Sequence, residues 1–417
     1  MALPRVVIVG AGFGGLQCAQ RLAGKPVEVL LLDRNNYHLF TPLLYQVASS
    51  LLNPSDIAQP VRKVFRGQTN VHVRLAEVTG IDFQAKRVRT SAGDEIPYDY
   101  LVIAAGSTTN FFGLESAEQS ALGLKDLPEA MELRNHILKC LEAAVGAADE
   151  TEQRSLLTFV IVGGGPTGVE YAGALSELVR LVIPKEYPEL ARRLARVVLV
   201  EAMDEILPSF PRKLGRASRQ ELERRGVEVR TGVKVTEARE FLVRLSNEEE
   251  INARTLVWAA GVKPAELAST LNVSRSHTGR IEVDEFLRAK GLESVFAVGD
   301  IASVVQDGRE VPMLSAPAMQ EARVVALNIV AASRAAPLRR FRYRDRGSMA
   351  TIGRNAAVAQ VRWLHLDLTG FLGWVAWLVV HLYYLIGFRN RAAVLLGWAW
   401  NYLRFDRPVR IIARAKS

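Results

Sequence analysis

Cysteine is nearly absent from this chain, whose 417 residues include only Cys18 and Cys140. Two cysteines far apart in the sequence exclude a disulfide scaffold and a Cys-x-x-Cys redox pair, and they favour a reducing, cytosolic compartment. We expect both to be small apolar side chains on helices. The histidines and cysteines form no group with metal-site spacing, so no metal is predicted.

A targeting pattern is also lacking, because the chain passes directly from its first residues into the apolar run 6–9. The content of 49% hydrophobic residues excludes extended disorder. The net charge of +9 is concentrated at residues 389–417, where seven Lys and Arg stand against one acid, Asp406. Basic residues beside an apolar, aromatic segment favour the cytoplasmic face of a membrane over nucleic acid.

A dinucleotide-binding pattern opens the chain. An apolar run at 6–9 leads into Gly10, Gly12 and Gly15, then a helical stretch at 16–22 and a second strand at 27–32 that ends at Asp33. The glycines permit a tight turn and close approach to a pyrophosphate, which then lies at the positive N-terminus of the helix. Asp33 is placed to accept from a ribose hydroxyl.

The same pattern recurs in the middle of the chain, so two bound dinucleotides are predicted. Residues 159–162 lead into Gly163, Gly165 and Gly168, a helix over about 169–180, and a strand at 197–200 closed by Glu201. No cation follows Glu201 directly, which favours NADH over NADPH. Glu170, expected on the first turn of the helix, either complements the helix dipole or faces the nicotinamide.

Three further features extend this repeat. Residues 100–106 and 256–261 each read as a strand ending in Ala-Ala-Gly, and residues 295–300 read as a strand that delivers Asp300 to its carboxyl end. Asp300 is either a ligand residue or the N-cap of a loop. Gln320, on a helix predicted over 317–330, is either a site residue or an ordinary exposed residue.

The C-terminal region has a different composition. Residues 371–388 contain no Asp, Glu, Lys or Arg, and a helix of this length spans roughly 27 Å, just short of a bilayer crossing. Aromatic residues along its whole length favour a helix lying at a membrane interface, with His381 as an interfacial polar tip. A membrane span and a dimer interface are the alternatives.

The chain resembles the type II NADH dehydrogenases, single-subunit NADH:quinone oxidoreductases that pump no protons. The segment 36–46, the glycine motif and helix start 163–170, the strand end 297–300 and the tail 347–390 carry the resemblance. It implies FAD on the first fingerprint, with contacts from Gly10, Gly12, Gly15, Asp33, Ala105 and Asp300. It implies NADH on the second, with contacts from Gly163, Gly165, Gly168, Glu170 and Glu201.

The family's quinone-side motif, Ala-Gln-x-Ala-x-Gln, is altered in this chain. Gln320 matches the second Gln, whereas Ala316 replaces the first, and Asn355 stands where some members carry Lys. The two departures put a proton-delivery role at those positions in doubt. We assign Glu170 to orienting the nicotinamide and Gln320 to orienting the quinone head group.

The predicted fold is α/β, with two Rossmann-like dinucleotide-binding domains and a C-terminal helical region. Residues 1–115 and 279–335 are assigned to FAD, 116–278 to NADH, and 336–417 to membrane association and dimerisation. The predicted activity passes hydride from NADH to the flavin N5, then two electrons to menaquinone or ubiquinone. A peripheral homodimer bound to lipid through residues 371–417 is implied. The alternatives are a related flavoprotein reductase with another acceptor and a redox-sensing FAD- and NADH-binding protein without turnover.

Overall fold

The computed structural model describes residues 3–190, 195–239, 241–404 and 409–412. The strands are β1 Arg5–Val9, β2 Glu28–Asp33, β3 Tyr37–Leu39, β4 Ala58–Pro60, β5 Val71–Leu75, β6 Val78–Asp82, β7 Arg87–Thr90, β8 Glu95–Pro97, β9 Tyr100–Ile103, β10 Ser107–Thr109, β11 Leu122–Gly123, β12 Thr158–Val162, β13 Arg196–Glu201, β14 Val227–Thr231, β15 Val235–Arg239, β16 Leu242–Leu245, β17 Glu250–Asn252, β18 Thr255–Trp258, β19 Val262–Pro264, β20 Ile281–Glu282, β21 Val295–Ala297, β22 Ala302–Ser303, β23 Val305–Gln306, β24 Arg309–Glu310, β25 Gly347–Gly353, β26 Ala356–Val361 and β27 Leu366–Thr369.

The α-helices are α1 Phe13–Leu22, α2 Leu44–Ala48, α3 Pro54–Ile57, α4 Val61–Val64, α5 Glu115–Ser120, α6 Leu127–Val145, α7 Glu150–Leu156, α8 Pro166–Glu177, α9 Ile183–Glu186, α10 Arg212–Arg224, α11 Leu267–Thr270, α12 Ser315–Ala332, α13 Gly370–Tyr384 and α14 Phe388–Arg404. A π-helical turn, Leu178–Val182, continues α8. The basic residues Arg407, Arg414 and Lys416 of the predicted C-terminal cluster, and the acid Asp406, lie outside the described residues.

The chain divides into two compact units. Unit 1 comprises Met1–Leu39, Ala58–Thr108 and Val262–Asp345, and unit 2 comprises Phe40–Ile57, Thr109–Gly261 and Arg346–Ser417. The predicted division into FAD, NADH and membrane segments concerns ligands, and it stays a prediction.

Unit 1 is organised around a five-stranded parallel sheet with the order β21–β9–β1–β2–β5. Its central strands are runs of Val, Ile and Leu buried on both faces, as expected for a parallel sheet covered by helices. A small antiparallel sheet, β6–β7–β8, is inserted between β5 and β9.

Unit 2 repeats this arrangement. Its parallel sheet has the order β11–β18–β12–β13–β14, and an antiparallel sheet, β15–β16–β17, is inserted between β14 and β18. The edge strand beside β18 is the short β11, which precedes β12 in the chain, whereas the matching edge strand of unit 1 is β21, which follows β9 in the chain. The two sheets confirm the predicted fold class of paired Rossmann-like domains.

Unit 2 also contains the C-terminal region. The hairpin β25–β26 extends into a three-stranded antiparallel sheet with β27, and α13 and α14 follow. A single helix over 371–388, which the composition suggested, is wrong. Helix α13 ends at Tyr384 because Leu385 turns to extended backbone, and Gly387 adopts a φ of 91° directly before α14 starts at Phe388.

Part of each C-terminal helix is exposed. On α13 the exposed apolar side chains recur with helical spacing, and α14 presents a second group; they are Phe371, Leu372, Val375, Val379, Tyr383, Phe388, Leu395, Leu396, Trp400 and Leu403. Among the described residues, none of the helices combines the length and the hydropathy that a membrane crossing requires.

Two glycines allow helices of unit 2 to touch the C-terminal sheet. A Cβ at Gly173 on α8 would lie 2.4 Å from the carbonyl oxygen of Ile352 on β25. A Cβ at Gly373 on α13 would lie 2.5 Å from the carbonyl oxygen of Ala357 on β26. Backbone atoms cannot move aside as flexible side chains do, so both helices depend on glycine at these contacts.

We therefore expect Gly173→Ala to lower the free energy of unfolding by about 2 kcal/mol, because the added methyl group forces α8 away from β25. Circular-dichroism thermal melts of the intact protein measure the change. Gly80→Ala on β6 is the matched control, since a Cβ there meets open space. Equal melting midpoints for the two variants would contradict this account of the contact.

Candidate active site

The first glycine-rich turn leaves an open space in front of a helix N-terminus. Gly10 has a φ of +101°, and a Cβ there would lie 2.4 Å from the carbonyl oxygen of Ala104. Gly12 is the N-cap of α1, and a Cβ at Gly12 would meet no atom within 4 Å. The amide groups of the first turn of α1 therefore face room for an anion, which the helix dipole favours.

The second glycine-rich turn repeats this geometry in unit 2. Gly163 has a φ of +109°, and a Cβ there would lie 2.5 Å from the carbonyl oxygen of Ala259. Gly165 is the N-cap of α8, and Pro166 is the first residue of that helix. A Cβ at Gly165 would also meet no atom within 4 Å. Gly15 and Gly168 let each helix pack on its own turn, since a Cβ at either would overlap the carbonyl oxygen of Gly10 or Gly163.

The two predicted ribose acids bind their turns in the same way. Asp33 accepts from the amide of Ala11 at 2.6 Å and from the amide of Asn35, also at 2.6 Å. Glu201 accepts from the amide of Gly164 at 2.5 Å and from the amide of Met203 at 2.7 Å. Each carboxylate uses one oxygen for the turn and the other for the residue two positions later.

Ala105 lies beside the Gly10 turn, and Asp300 is joined to the segment after Ala105 through Ser107. Asp300 lies inside the 3-10 turn Gly299–Ile301 rather than capping it, and it accepts a hydrogen bond from the Ser107 hydroxyl. The buried carboxylate of Glu321 accepts from the amide of Gly299 at 2.6 Å, and burial raises the pKa of Glu321 to about 7. Glu321 thus fixes the turn that carries Asp300, a role that its position on a helix did not indicate.

His38 is a site residue for which the sequence analysis assigned no role. It is 2% exposed, its Nδ1 donates to the carbonyl oxygen of Ala11 at 2.8 Å, and its ring meets Phe13 edge-on. Within the described part of the chain its buried Nε2 has no hydrogen-bond partner. The motif at 36–46 was the available signal, and a buried acceptor beside the glycine turn suits a polar ligand there.

Glu170 is a buried acid that binds the C-terminal region. It is 8% exposed and lies in the second turn of α8, so the prediction that it lies on the first turn is wrong. Its Oε1 accepts from the Trp377 indole at 3.1 Å and from the amide of Thr351 at 3.2 Å. Burial raises the pKa of Glu170 to about 8, although both hydrogen bonds oppose this shift.

Gln320 is bound by backbone in this structure. Its amide nitrogen donates to the carbonyl oxygen of Arg344 at 3.0 Å, and its amide oxygen accepts from the Arg344 N–H at 3.0 Å. Ala316 is the second residue of α12. Asn355 is exposed in the two-residue turn between β25 and β26, with a φ of 60° that Asn tolerates well.

Aromatic side chains of α13 and α14 line a small cavity of about 60 Å³ in unit 2, together with Tyr45 and Gln46. Trp377 is 1% exposed, and Trp398 donates to the Gln46 side chain at 2.8 Å. His381 stacks on Trp377 and donates to its carbonyl oxygen, and burial lowers the pKa of His381 to about 4. His381 is half-buried, and its predicted role as an interfacial polar tip stays a prediction.

Comparisons with known proteins place this geometry in a family. The model described as Pyridine nucleotide-disulphide oxidoreductase matches residues 4–322, and the NDH2 C-terminal domain matches residues 346–407. The Type II NADH:quinone oxidoreductase Ndh of Mycobacterium tuberculosis is 38% identical, covering 97% of this chain and 89% of that protein. The chain belongs to the type II NADH:quinone oxidoreductases.

A second relative agrees with this assignment, and a solved structure shares the fold. The Type II NADH:quinone oxidoreductase of Staphylococcus aureus is 31% identical, covering 86% of this chain and 89% of that protein. The structure of NDH2 from Plasmodium falciparum in complex with NADH has a TM-score of 0.89 at 19% identity, covering 99% of this chain and all of the other. The predicted family, fold and enzyme class are confirmed.

The raised pKa of Glu170 predicts a pH-dependent stability. In the unfolded chain the carboxyl titrates near its ordinary value of 4.5, and in the folded chain near 8. Between these values the folded state holds the extra proton, so this residue's contribution to stability falls as pH rises from about 4.5 to about 8. Replacing Glu170 with Gln removes that loss.

We therefore expect Glu170→Gln to melt close to the native chain at pH 5 and at a higher temperature than the native chain at pH 8.5. Thermal melts across this range measure the difference between midpoints. Glu118→Gln on the exposed surface of α5 is the control, and its difference from the native chain should stay constant. A Glu170→Gln difference that does not change with pH would contradict a protonated, buried carboxyl.

Proposed function

We propose that this chain binds FAD on the glycine turn of α1 and NADH on that of α8, and that it reduces a membrane quinone with electrons from NADH. The observation that carries the proposal is the duplicated cradle, in which an open helix N-terminus meets a carboxylate tethered to the turn. Family membership supports the assignment of FAD to the first copy and NADH to the second.

The residues of each cradle have distinct tasks. The amides at the start of α1 and α8 neutralise pyrophosphate charge, and Gly12 and Gly165 leave room for it. Asp33 and Glu201 keep lone pairs that accept from ribose hydroxyls while their turn bonds hold them in place. Ala105 and Asp300 contribute to the FAD side, with Asp300 positioned by Ser107 and by the turn that Glu321 holds.

FAD held by the glycine turn of α1, Asp33 and Asp300 would supply the two-electron chemistry that connects NADH with the quinone. Glu170 is proposed as a positioning residue for the nicotinamide side, because it lies on the helix whose N-terminus receives the NADH pyrophosphate. Its two donors bind Oε1, so the acidic proton is carried on Oε2. Gln320 is proposed to orient the quinone head group, which requires its amide to exchange the bonds with Arg344 for bonds to the quinone.

Sulfur acceptors fit this chain poorly. Cys18 lies on α1 and Cys140 on α6, and both are buried and free. Burial raises the pKa of the Cys18 thiol to about 12 and raises that of Cys140 as well. Neither thiol forms the thiolate that dithiol or sulfide chemistry uses as nucleophile.

The exposed apolar residues of α13 and α14 support a peripheral membrane association. An apolar surface of this size, rich in aromatic side chains, favours a lipid interface. We propose a location on the cytoplasmic face of the cell membrane and a homodimer, as the family resemblance implies. Vesicle cosedimentation tests the first, and light scattering of the detergent-solubilised protein tests the second.

An anaerobic stopped-flow experiment tests the proposed reaction. The purified holoenzyme is mixed with NADH and then with a menaquinone or ubiquinone analogue, while flavin absorbance is followed. We expect NADH to bleach the flavin band and the quinone to restore it rapidly. Bleaching without recovery would contradict the quinone acceptor, and an absence of bleaching would contradict the FAD and NADH pair.

The acid at the end of β13 predicts a preference for NADH. A 2′-phosphate on the ribose would meet the Glu201 carboxylate, so we expect kcat/KM for NADH to exceed that for NADPH. Glu201→Gln should reduce the ratio by about tenfold, because it removes a repulsion of about 1.4 kcal/mol. Steady-state kinetics with both nucleotides measure it.

Glu223→Gln on α10 is the charge-matched control for this change, and its ratio should equal that of the native enzyme. If Glu201→Gln left the NADH preference unchanged, Glu201 would not be the residue that faces the ribose. A loss of flavin binding in Glu201→Gln would instead indicate that the two cradles are assigned in the wrong order.

A further inference from the structure

An extended segment of unit 1 carries a concentration of arginine. Residues 337–345, which we name the basic strap, contain Arg339, Arg340, Arg342 and Arg344 against a single acid, Asp345. The strap forms no helix or strand, yet all four arginines are exposed. Between them, Phe341 and Tyr343 are partly buried, so from residue 340 to 344 exposed cationic and partly buried aromatic residues alternate.

Side-chain amides hold the backbone of the basic strap in place. Asn328 donates to the carbonyl oxygen of Arg339 at 3.0 Å and accepts from its N–H at 2.8 Å. Gln306 makes the same pair of bonds with Tyr343, and Gln320 makes it with Arg344. The amide of Phe341 donates to the carbonyl oxygen of Glu285 at 2.7 Å.

These bonds replace the ladder of a neighbouring strand and hold the backbone from which the arginines project. A fixed array of cations binds an anionic surface without the entropy loss that a flexible segment would incur. Arg340 pairs with Glu285 at 3.4 Å, but both side chains are more than half exposed, so this ion pair competes weakly with an external anion.

We propose that the basic strap binds the anionic phosphate headgroups of a lipid surface. The inference rests on the proposed function, since a membrane quinone requires the enzyme at a bilayer. Arginine forms bidentate bonds with phosphate oxygens, and basic segments near an acidic leaflet gain affinity with each positive charge.

A lipid surface suits the strap better than a nucleic acid does. Single-stranded nucleic acids bind where exposed aromatic side chains stack on bases beside the cations. In the basic strap the aromatic residues Phe341 and Tyr343 are partly buried, whereas the arginines are exposed. Cations without a stacking surface match a plane of phosphate headgroups.

The test measures cosedimentation of the intact holoenzyme with two kinds of vesicle, phosphatidylcholine alone and phosphatidylcholine with about one third phosphatidylglycerol. We expect the native enzyme to prefer the anionic vesicles at about 50 mM salt and to lose most of that preference at about 500 mM salt. Arg340→Gln/Arg342→Gln should reduce binding to the anionic vesicles by about fivefold for each arginine removed. Binding to pure phosphatidylcholine should not change.

Arg87→Gln/Arg89→Gln on β7 is the matched control, because it removes the same charge from two exposed, alternating arginines of the same unit. An equal loss in this control would show a dependence on net charge alone and would overturn the proposal. An unchanged preference for anionic vesicles in Arg340→Gln/Arg342→Gln would also overturn it. So would a variant that lost binding to a single-stranded RNA oligonucleotide and kept its lipid preference.

Turnover with a short-chain quinone in detergent separates this proposal from the proposed function. We expect Arg340→Gln/Arg342→Gln to match the native enzyme in turnover, flavin absorbance and melting temperature. If the native enzyme itself failed to reduce quinone, the proposed function would fail, whereas the vesicle comparison would still decide the role of the basic strap.

Discussion

Each parallel sheet of this protein depends on a hydrogen bond between a carboxylate and a glycine-rich turn. The turn must reverse direction at a glycine of positive φ, and this leaves a backbone amide pointing back toward the end of the second strand. A buried amide without a partner costs about 1–3 kcal/mol. Asp33 accepts from Ala11, and Glu201 accepts from Gly164, so the acid that we propose as the ribose acceptor also satisfies the turn. The position of the helix N-terminus, where we propose that the phosphates bind, follows from this bond.

In unit 2 a second carboxyl has a comparable effect on the C-terminal region. The Glu170 carboxyl is buried, and it accepts hydrogen bonds from the Trp377 indole and the Thr351 amide. Both donors are neutral, and neither supplies a positive charge. A charged carboxylate in such surroundings is costly, so its neutral form is favoured near physiological pH. The close contacts at Gly173 and Gly373 bring α8 and α13 onto the same antiparallel sheet, and this places Trp377 within reach of Glu170. The close glycine contacts and the hydrogen bonds of Glu170 therefore stabilise the same arrangement of α8, α13 and the C-terminal sheet.

The parts of the structure that were predictable from sequence are those set by local rules. Buried strands, glycine turns and strand-end acids depend on residues within one βαβ unit, and each of these patterns formed where it was expected. The partners of Glu170 lie far along the chain, at Thr351 and Trp377, and no spacing rule connects them. The helix break before Phe388 was missed because nothing in the apolar run marks Leu385 as the end of a helix. The positive φ of Gly387 depends on how both helices pack, which a sequence pattern does not show.

The Asn355 departure from the family pattern has a local physical explanation in this structure, whereas nothing in the structure explains Ala316. Asn355 occupies a left-handed turn position, where Asn costs less than Lys, so backbone geometry by itself accounts for the residue. Gln320 has both ends of its amide bonded to Arg344, which links the quinone-side motif to the basic strap. If Gln320 binds the quinone as we propose, its amide must release Arg344, and one of the three side-chain amides that hold the strap is then lost.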